Sequence, residues 1–125
     1  MAEYTILVVE DEPEIADLLK KRLEANGYKA LIAYDGLTAL SVARKAMPDL
    51  IILDLMLPKM DGYSVSRMLK FDKKYREIPI IILTAKTREN DKRLGDEVGA
   101  DLYMTKPFDS ESLLKAIREL LSKKN

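Results

Sequence analysis

Leu50-Ile51-Ile52-Leu53 runs without a polar interruption into Asp54, and Pro58 ends the regular segment soon after. An unbroken aliphatic run has no polar face to turn to water, so it fits a strand covered on both sides, as in a parallel sheet. Ile78-Pro79-Ile80-Ile81-Ile82-Leu83 is a second run of this kind, its proline tolerable near the strand start. Ligands of such sheets bind outside the carboxyl ends of the strands. Asp54 stands at that end of what reads as the central strand, and a carboxylate there needs a reason.

The rest of the chain alternates in the way such a sheet requires. Strands are expected over 4–9, 28–33, 50–54, 78–83 and 101–104. A first helix runs over 13–26, with Pro13 at its first position and Gly27 as its left-handed terminator. Ala16, Leu19 and Leu23 form its core stripe, while Ile15, Leu18 and Arg22 form an adjoining stripe that widens the apolar face beyond one core contact. A second helix over 37–47 is closed by Pro48, and a third starts at Asp61-Gly62 with Asp61 as N-cap. The fourth is expected over 87–98, stopped by Gly99 and weakened by about 1 kcal/mol by Gly95 in its interior. Asp109 caps a last helix through Ser122, with Leu113, Leu114, Ile117, Leu120 and Leu121 on its apolar face. The expectation is an α/β protein, a single (βα)5 domain over 1–125 with a doubly wound parallel sheet in the flavodoxin-like order 2-1-3-4-5.

Composition narrows the chemistry. The 125 residues carry 21 basic and 21 acidic side chains, a formal net charge of zero, which argues against direct nucleic-acid binding by this domain. Cysteine and histidine are absent, so thiol chemistry, histidine catalysis and zinc sites built on those residues are excluded. Any metal must be held by oxygen, which favours Mg²⁺, Ca²⁺ or Mn²⁺. No signal peptide or membrane span is evident, and the default expectations are a cytoplasmic location and no membrane partner.

In the expected strand order, the carboxyl ends of the first, third, fourth and fifth strands converge. They bring Glu10 and Asp11, Asp54, Thr84 with Ala85, and Lys106 with Pro107. Taken singly, a strand-terminal aspartate is more often a cap or turn former. Clustered carboxylates, however, raise one another's pKa unless a cation sits among them. Mg²⁺ is the natural cation, bound directly by Asp11 and Asp54 with Glu10 acting through a water. A lysine as point charge and a threonine as hydrogen-bond donor beside such a metal suit a phosphoryl group. Asp54 can itself be the nucleophile, forming an aspartyl phosphate with no general base.

Four segments carry a resemblance that spans essentially the whole chain. They are Ile6-Leu7-Val8-Val9-Glu10-Asp11-Glu12, Asp54 through Gly62, Leu83-Thr84-Ala85, and Gly99 through Phe108. In order and spacing they resemble the motifs of response-regulator receiver domains of two-component signalling, a family with the chemotaxis-response-regulator-like fold. The resemblance implies that Asp54 accepts a phosphoryl group from the phosphohistidine of a sensor histidine kinase or histidine phosphotransfer protein. It implies Mg²⁺, with Mn²⁺ able to replace it, held by Asp11, Asp54 and the backbone carbonyl of Met56, with Glu10 outer-sphere. Lys106 contacts the phosphoryl oxygens, Thr84 moves to hydrogen-bond them, and Tyr103 is the aromatic switch. The Lys106-Pro107 peptide is expected to be cis. Met56 and Lys86 occupy positions that tune phosphate lifetime. Ile15, Leu18, Arg22, Pro107 and Phe108 fall where family members dock partners. The chain is not expected to be an enzyme, catalysing only its own phosphorylation and dephosphorylation.

The motifs are closest to receivers of the winged-helix transcription-factor class. Leu102 replaces the second of two acids usual before the switch tyrosine in that class, and Ser112 and Ala116 stand where a Glu and an Arg are expected. Those departures count against the usual activated dimer. The favoured expectation is a stand-alone receiver that changes partners, with a receiver cut from a longer DNA-binding transcriptional regulator as the alternative. Two readings from other classes are a flavodoxin-type cofactor binder and a Mg²⁺-dependent aspartyl phosphatase. The first wants a Ser/Thr- or Gly-rich phosphate loop where Glu10-Asp11-Glu12 stands, and the second wants an acid near Asp54 where Leu55 and Met56 stand.

Overall fold

The computed structural model describes residues 3–84, 100–106 and 109–123, and of Thr84 the backbone only. The expected helix over 87–98 with Gly95 and Gly99, together with Ala85, Lys86, Pro107, Phe108 and the Lys106-Pro107 peptide, lies outside the described residues.

Strands β1 (Thr5–Val9), β2 (Lys29–Ala33), β3 (Leu50–Asp54), β4 (Ile80–Thr84) and β5 (Leu102–Thr105) form one parallel sheet in the order β2-β1-β3-β4-β5. All five residues of β3 are buried, as its unbroken aliphatic run requires. The described helices are α1 (Pro13–Ala25), α2 (Gly36–Ala46), α3 (Gly62–Lys70) and α4 (Ser110–Ser122).

Alternate residues of each central strand feed two separate cores. Leu7, Ile51, Leu53, Ile80 and Ile82 pack with Ala39, Leu40 and Ala43 of α2 and Val65 and Leu69 of α3. Ile6, Val8, Leu50, Ile52 and Ile81 pack with Leu19 and Leu23 of α1 and Leu113, Ile117 and Leu121 of α4. Burying each such side chain stabilises the fold by roughly 1.5–3 kcal/mol, which is why a strand apolar on both faces settles between two helix layers.

Helix starts follow the aspartates. Asp35, Asp61 and Asp109 accept hydrogen bonds from the N–H groups of Thr38, Ser64 and Ser112 respectively. At the other end of α1, Gly27 adopts φ +88°, the left-handed terminator its sequence position implied. Some boundaries differ from the expected ones. β4 begins at Ile80, not Ile78, because the Ile78 N–H turns back to the Tyr75 carbonyl and Pro79 has no N–H to give. α1 ends at Ala25 with Asn26 as C-cap, α2 starts at Gly36, and β5 is shifted one residue onward. Among the described residues no helix is long and apolar enough to cross a membrane.

Candidate functional site at the carboxyl ends of the strands

Glu10 follows β1 directly, its N–H donating to the Ala33 carbonyl of β2 at 3.1 Å, so the sheet ladder fixes its backbone. Asp54 closes β3 in register with Leu83 of β4. Lys106 follows β5, which lies on the far side of β4. These three elements place two carboxylates and one ammonium together. Lys106 Nζ is 2.9 Å from Glu10 Oε2 and 2.9 Å from Asp54 Oδ2. The acids are 2% and 5% exposed, so neither is free to leave the site for bulk water.

The second oxygen of each acid is also engaged. Asp54 Oδ1 accepts from the Met56 N–H at 3.0 Å, and Glu10 Oε1 accepts from the Glu12 N–H at 3.4 Å. Among the described residues no buried side-chain polar atom lacks a partner. The electrostatics are nevertheless tense. Burial, with a further push from Asp54, raises the Glu10 carboxyl to about 7 against the pull of Lys106. Burial alone would lower Lys106, but its bonds to Glu10 and Asp54 outweigh that and hold the ammonium above its ordinary value.

A cleft of about 240 Å³ opens beside this cluster, lined by Asp11, Glu12, Ile15, Asp54, Met56 and Lys106. One carboxylate oxygen from each of Glu10, Asp11 and Glu12 lies within 4.8 Å of the others. The donor set is hard oxygen and dense in negative charge, with one ammonium as its only direct counter-ion among the described residues. A small divalent cation of the Mg²⁺ type fits that chemistry. Asp11 itself is exposed, open to a hydrated ion.

The remaining expected residues divide. Tyr103 is half-buried, pairs with Ile82 across the β4–β5 ladder, and packs on the core under α2 and α3. The backbone of Thr84 pairs with Thr105, the residue before Lys106. Met56 stands 59% exposed at the cleft. Of the α1 stripe, Leu18 and Arg22 are exposed, whereas Ile15 also packs on the core beneath α1 and α4.

Sequence reading missed how residues 55–61, the loop after Asp54, are held. The Gly62 N–H donates to the Leu55 carbonyl at 3.1 Å, and the Gly36 N–H reaches the Pro58 carbonyl at 3.4 Å. The available signal was a pair of Asp-Gly helix starts, Asp35-Gly36 and Asp61-Gly62. It also missed Lys70, whose Nζ donates to Asp101 Oδ2 at 2.8 Å.

Comparison with known proteins agrees with this geometry. The family described as the response regulator receiver domain matches residues 6–118. A DNA-binding dual master transcriptional regulator, RpaA, of Synechocystis is 46% identical over 93% of this chain and 48% of its own length. The alkaline phosphatase synthesis transcriptional regulatory protein PhoP of Bacillus subtilis is 48% identical over the same shares. The chain thus spans about half the length of these curated relatives. Among solved structures, a response regulator from Chloroflexus aurantiacus superposes with a TM-score of 0.92 at 32% identity, covering 97% of this chain and 99% of that one. The chemotaxis protein CheY4 of Vibrio cholerae gives 0.88 at 34% identity, covering 95% and 99%. With a family match across nearly its whole length and the acid–lysine cluster at its strand ends, the chain belongs to the response regulator receiver domains of two-component signalling.

Proposed function

We propose that Asp54 is the phosphoacceptor, taking a phosphoryl group from the phosphohistidine of a sensor histidine kinase or a histidine phosphotransfer protein. The observation that carries this is the buried Asp54 carboxylate, 2.9 Å from the Lys106 ammonium on the wall of an acid-lined cleft. An Asp54 oxygen attacks phosphorus, and the new O–P bond forms as the N–P bond of the donor breaks. The bonding pair leaves with the imidazole, which takes a proton from water. Asp54 has no proton to lose, so no base is needed, which suits a chain without histidine.

Asp11, Asp54 and the Met56 carbonyl would hold Mg²⁺ or Mn²⁺, with Glu10 outer-sphere, and the ion would supply charge neutralisation at the phosphoryl oxygens. Lys106 turns from the free carboxylate to the transferred group, as a point charge and hydrogen-bond donor to its oxygens. Thr84 follows as a hydrogen-bond donor and Tyr103 responds as the switch, so a charge change at Asp54 biases a two-state element. Met56 and Lys86 flank the phosphoryl group and set how long it survives. Ile15, Leu18, Arg22, Pro107 and Phe108 form the surface read by the donor. Residues 1–125 act as one receiver unit whose catalysis is confined to its own phosphorylation and dephosphorylation.

The same switch serves a stand-alone receiver that exchanges partners or one that governs an attached domain. The printed names of the two curated relatives, both transcriptional regulators, support a DNA-binding output as the second reading. Incubation with acetyl phosphate and Mg²⁺ tests the central claim: mass spectrometry should find one labile phosphoryl adduct, absent from Asp54→Ala. The same adduct on that variant would move the acceptor elsewhere.

A further inference from the structure

The loop of residues 55–61 joins Asp54 to α3 and carries the Met56 carbonyl. Its backbone includes Lys59 at φ +68°, a conformation that side-chain-bearing residues adopt only when the surroundings impose it. Two helix N-termini supply the surroundings. At the near end is Gly62 of α3, where an added Cβ would overlap the Asp54 carbonyl oxygen and come 2.8 Å from Leu55 Cα. At the far end is Gly36 of α2, where an added Cβ would overlap the Met60 carbonyl oxygen and come 2.7 Å from Met60 Cβ.

Gly36 is not at positive φ, so backbone conformation does not demand glycine there. Contact does. The neighbouring Asp35 adds a second hold: it accepts from the Thr38 N–H at 2.8 Å to cap α2 while its other oxygen lies 3.9 Å from Lys59 Nζ. Within the loop, the Met60 N–H donates to the Pro58 carbonyl at 2.7 Å, which makes the turn a stiff unit. Pinned at Leu55 by Gly62 and pressed at Met60 by Gly36, the short segment between is held at both ends. A shift at Met60 therefore passes into residues 56–59.

We propose that Gly36 is a positioning residue for phosphoryl transfer: by letting the α2 N-terminus seat against Met60, it sets where the Met56 carbonyl stands beside Asp54. The proposal rests on the reading above in which Met56 is a metal ligand. It extends the site to a helix that contributes no reacting group.

The test is a Mg²⁺ titration of the free protein, followed by the amide resonance of Met56 and by the melting temperature, on wild type, Gly36→Ala and Ala43→Gly. Ala43 is buried in α2 and loosens that helix without crowding the loop. Gly36→Ala should weaken Mg²⁺ binding about tenfold and displace the Met56 amide, as loss of an outer-shell support does. Ala43→Gly should melt lower yet bind Mg²⁺ as wild type does. Equal Mg²⁺ affinity in Gly36→Ala, or equal weakening in Ala43→Gly, overturns the proposal while leaving the metal reading intact. A wild type indifferent to Mg²⁺ overturns the metal reading and this proposal with it. Should Gly36→Ala fail to fold, Lys59→Ala removes the neighbouring hold of the loop on Asp35 at the α2 N-terminus. Removing that cation by charge alone would tighten Mg²⁺ binding. Weaker binding therefore reports the loop, and unchanged or tighter binding overturns the proposal.

Discussion

Lys70 and Asp101 meet at the amino-terminal end of the sheet, Nζ to Oδ2 at 2.8 Å, opposite the end where Lys106 meets Asp54. The same ammonium donates to the carbonyls of Ile78 at 2.7 Å and Arg76 at 3.1 Å, and Asp101 Oδ2 also accepts from the Ile80 N–H at 2.8 Å. Three donors meet three acceptors, and one side chain thereby ties the end of α3 to the starts of β4 and β5.

Lys70→Met should leave those acceptors without their partner and cost about 1–3 kcal/mol of stability. Thermal melts would show the loss. The acetyl-phosphate reaction rate at saturating Mg²⁺ should stay at the wild-type value, because the reacting end of the sheet is untouched.

The titration of Glu10 gives a pH dependence of definite sign. Its folded pKa, about 7, lies above the ordinary 4.5, so the stability it contributes is full below about 4.5 and lost as pH rises through 7. Without Mg²⁺, wild type should lose on the order of 2–3 kcal/mol relative to Glu10→Gln between pH 5 and 8. Asp35 and Asp109 run the other way. A backbone bond from Thr38 and a side-chain bond from Ser112, respectively, are the main causes holding their carboxyls below 3.8. Their caps are intact above that value and fail as pH falls below it. Melting temperatures of wild type, Glu10→Gln and Asp35→Asn across pH 2–8 would separate the two windows.

Lys106→Met should divorce affinity from rate. Removing the ammonium from beside Glu10 and Asp54 favours Mg²⁺ by simple Coulomb attraction, so Mg²⁺ should bind more tightly. Phosphorylation by acetyl phosphate at saturating Mg²⁺ should nevertheless slow by roughly 10²-fold, the scale of losing one preorganised charge donor. A rate that follows the affinity upward would show that Lys106 does not act on the transferred group.

Thr84→Ala should still accept the phosphoryl group but lose the accompanying change in Tyr103 fluorescence or ring resonances. The rate of adduct formation and the Tyr103 signal are measured on the same sample. If the Tyr103 change persists, the two residues are not coupled.

The sheet and its order were legible because β3 and β4 are unbroken aliphatic runs up to their last residues, Asp54 and Thr84, which only two covering layers can satisfy. Which residues stand at the carboxyl ends of the strands was legible for a related reason. Strand ends are marked by where aliphatic runs stop, and Glu10 and Asp54 each stand at such a stop, while Lys106 follows the shorter run Leu102–Thr105. What escaped was set by distances between segments far apart in sequence. Nothing local distinguishes Gly36 as a residue against which Met60 packs, or Lys70 as the clamp on Asp101. The bridging of Glu10 and Asp54 by one ammonium depends on β5 lying beside β4, a topological fact that no window around Lys106 contains. Ile15 reads equally as surface or core until α4 is in place beside α1.

Among the described strands β5 is an edge of the sheet, its four residues only partly covered, with Leu102 36% exposed. Lys106 is the next residue after it. The ammonium that balances two buried acids is therefore delivered by the least sheltered strand of the five rather than by the dense centre. A molecule lying along that outer margin touches the charge balance of the site through a single length of backbone. Traffic in the reverse direction is equally short: under the proposed phosphorylation, a new charge on Asp54 would reach the rim of the sheet through Lys106.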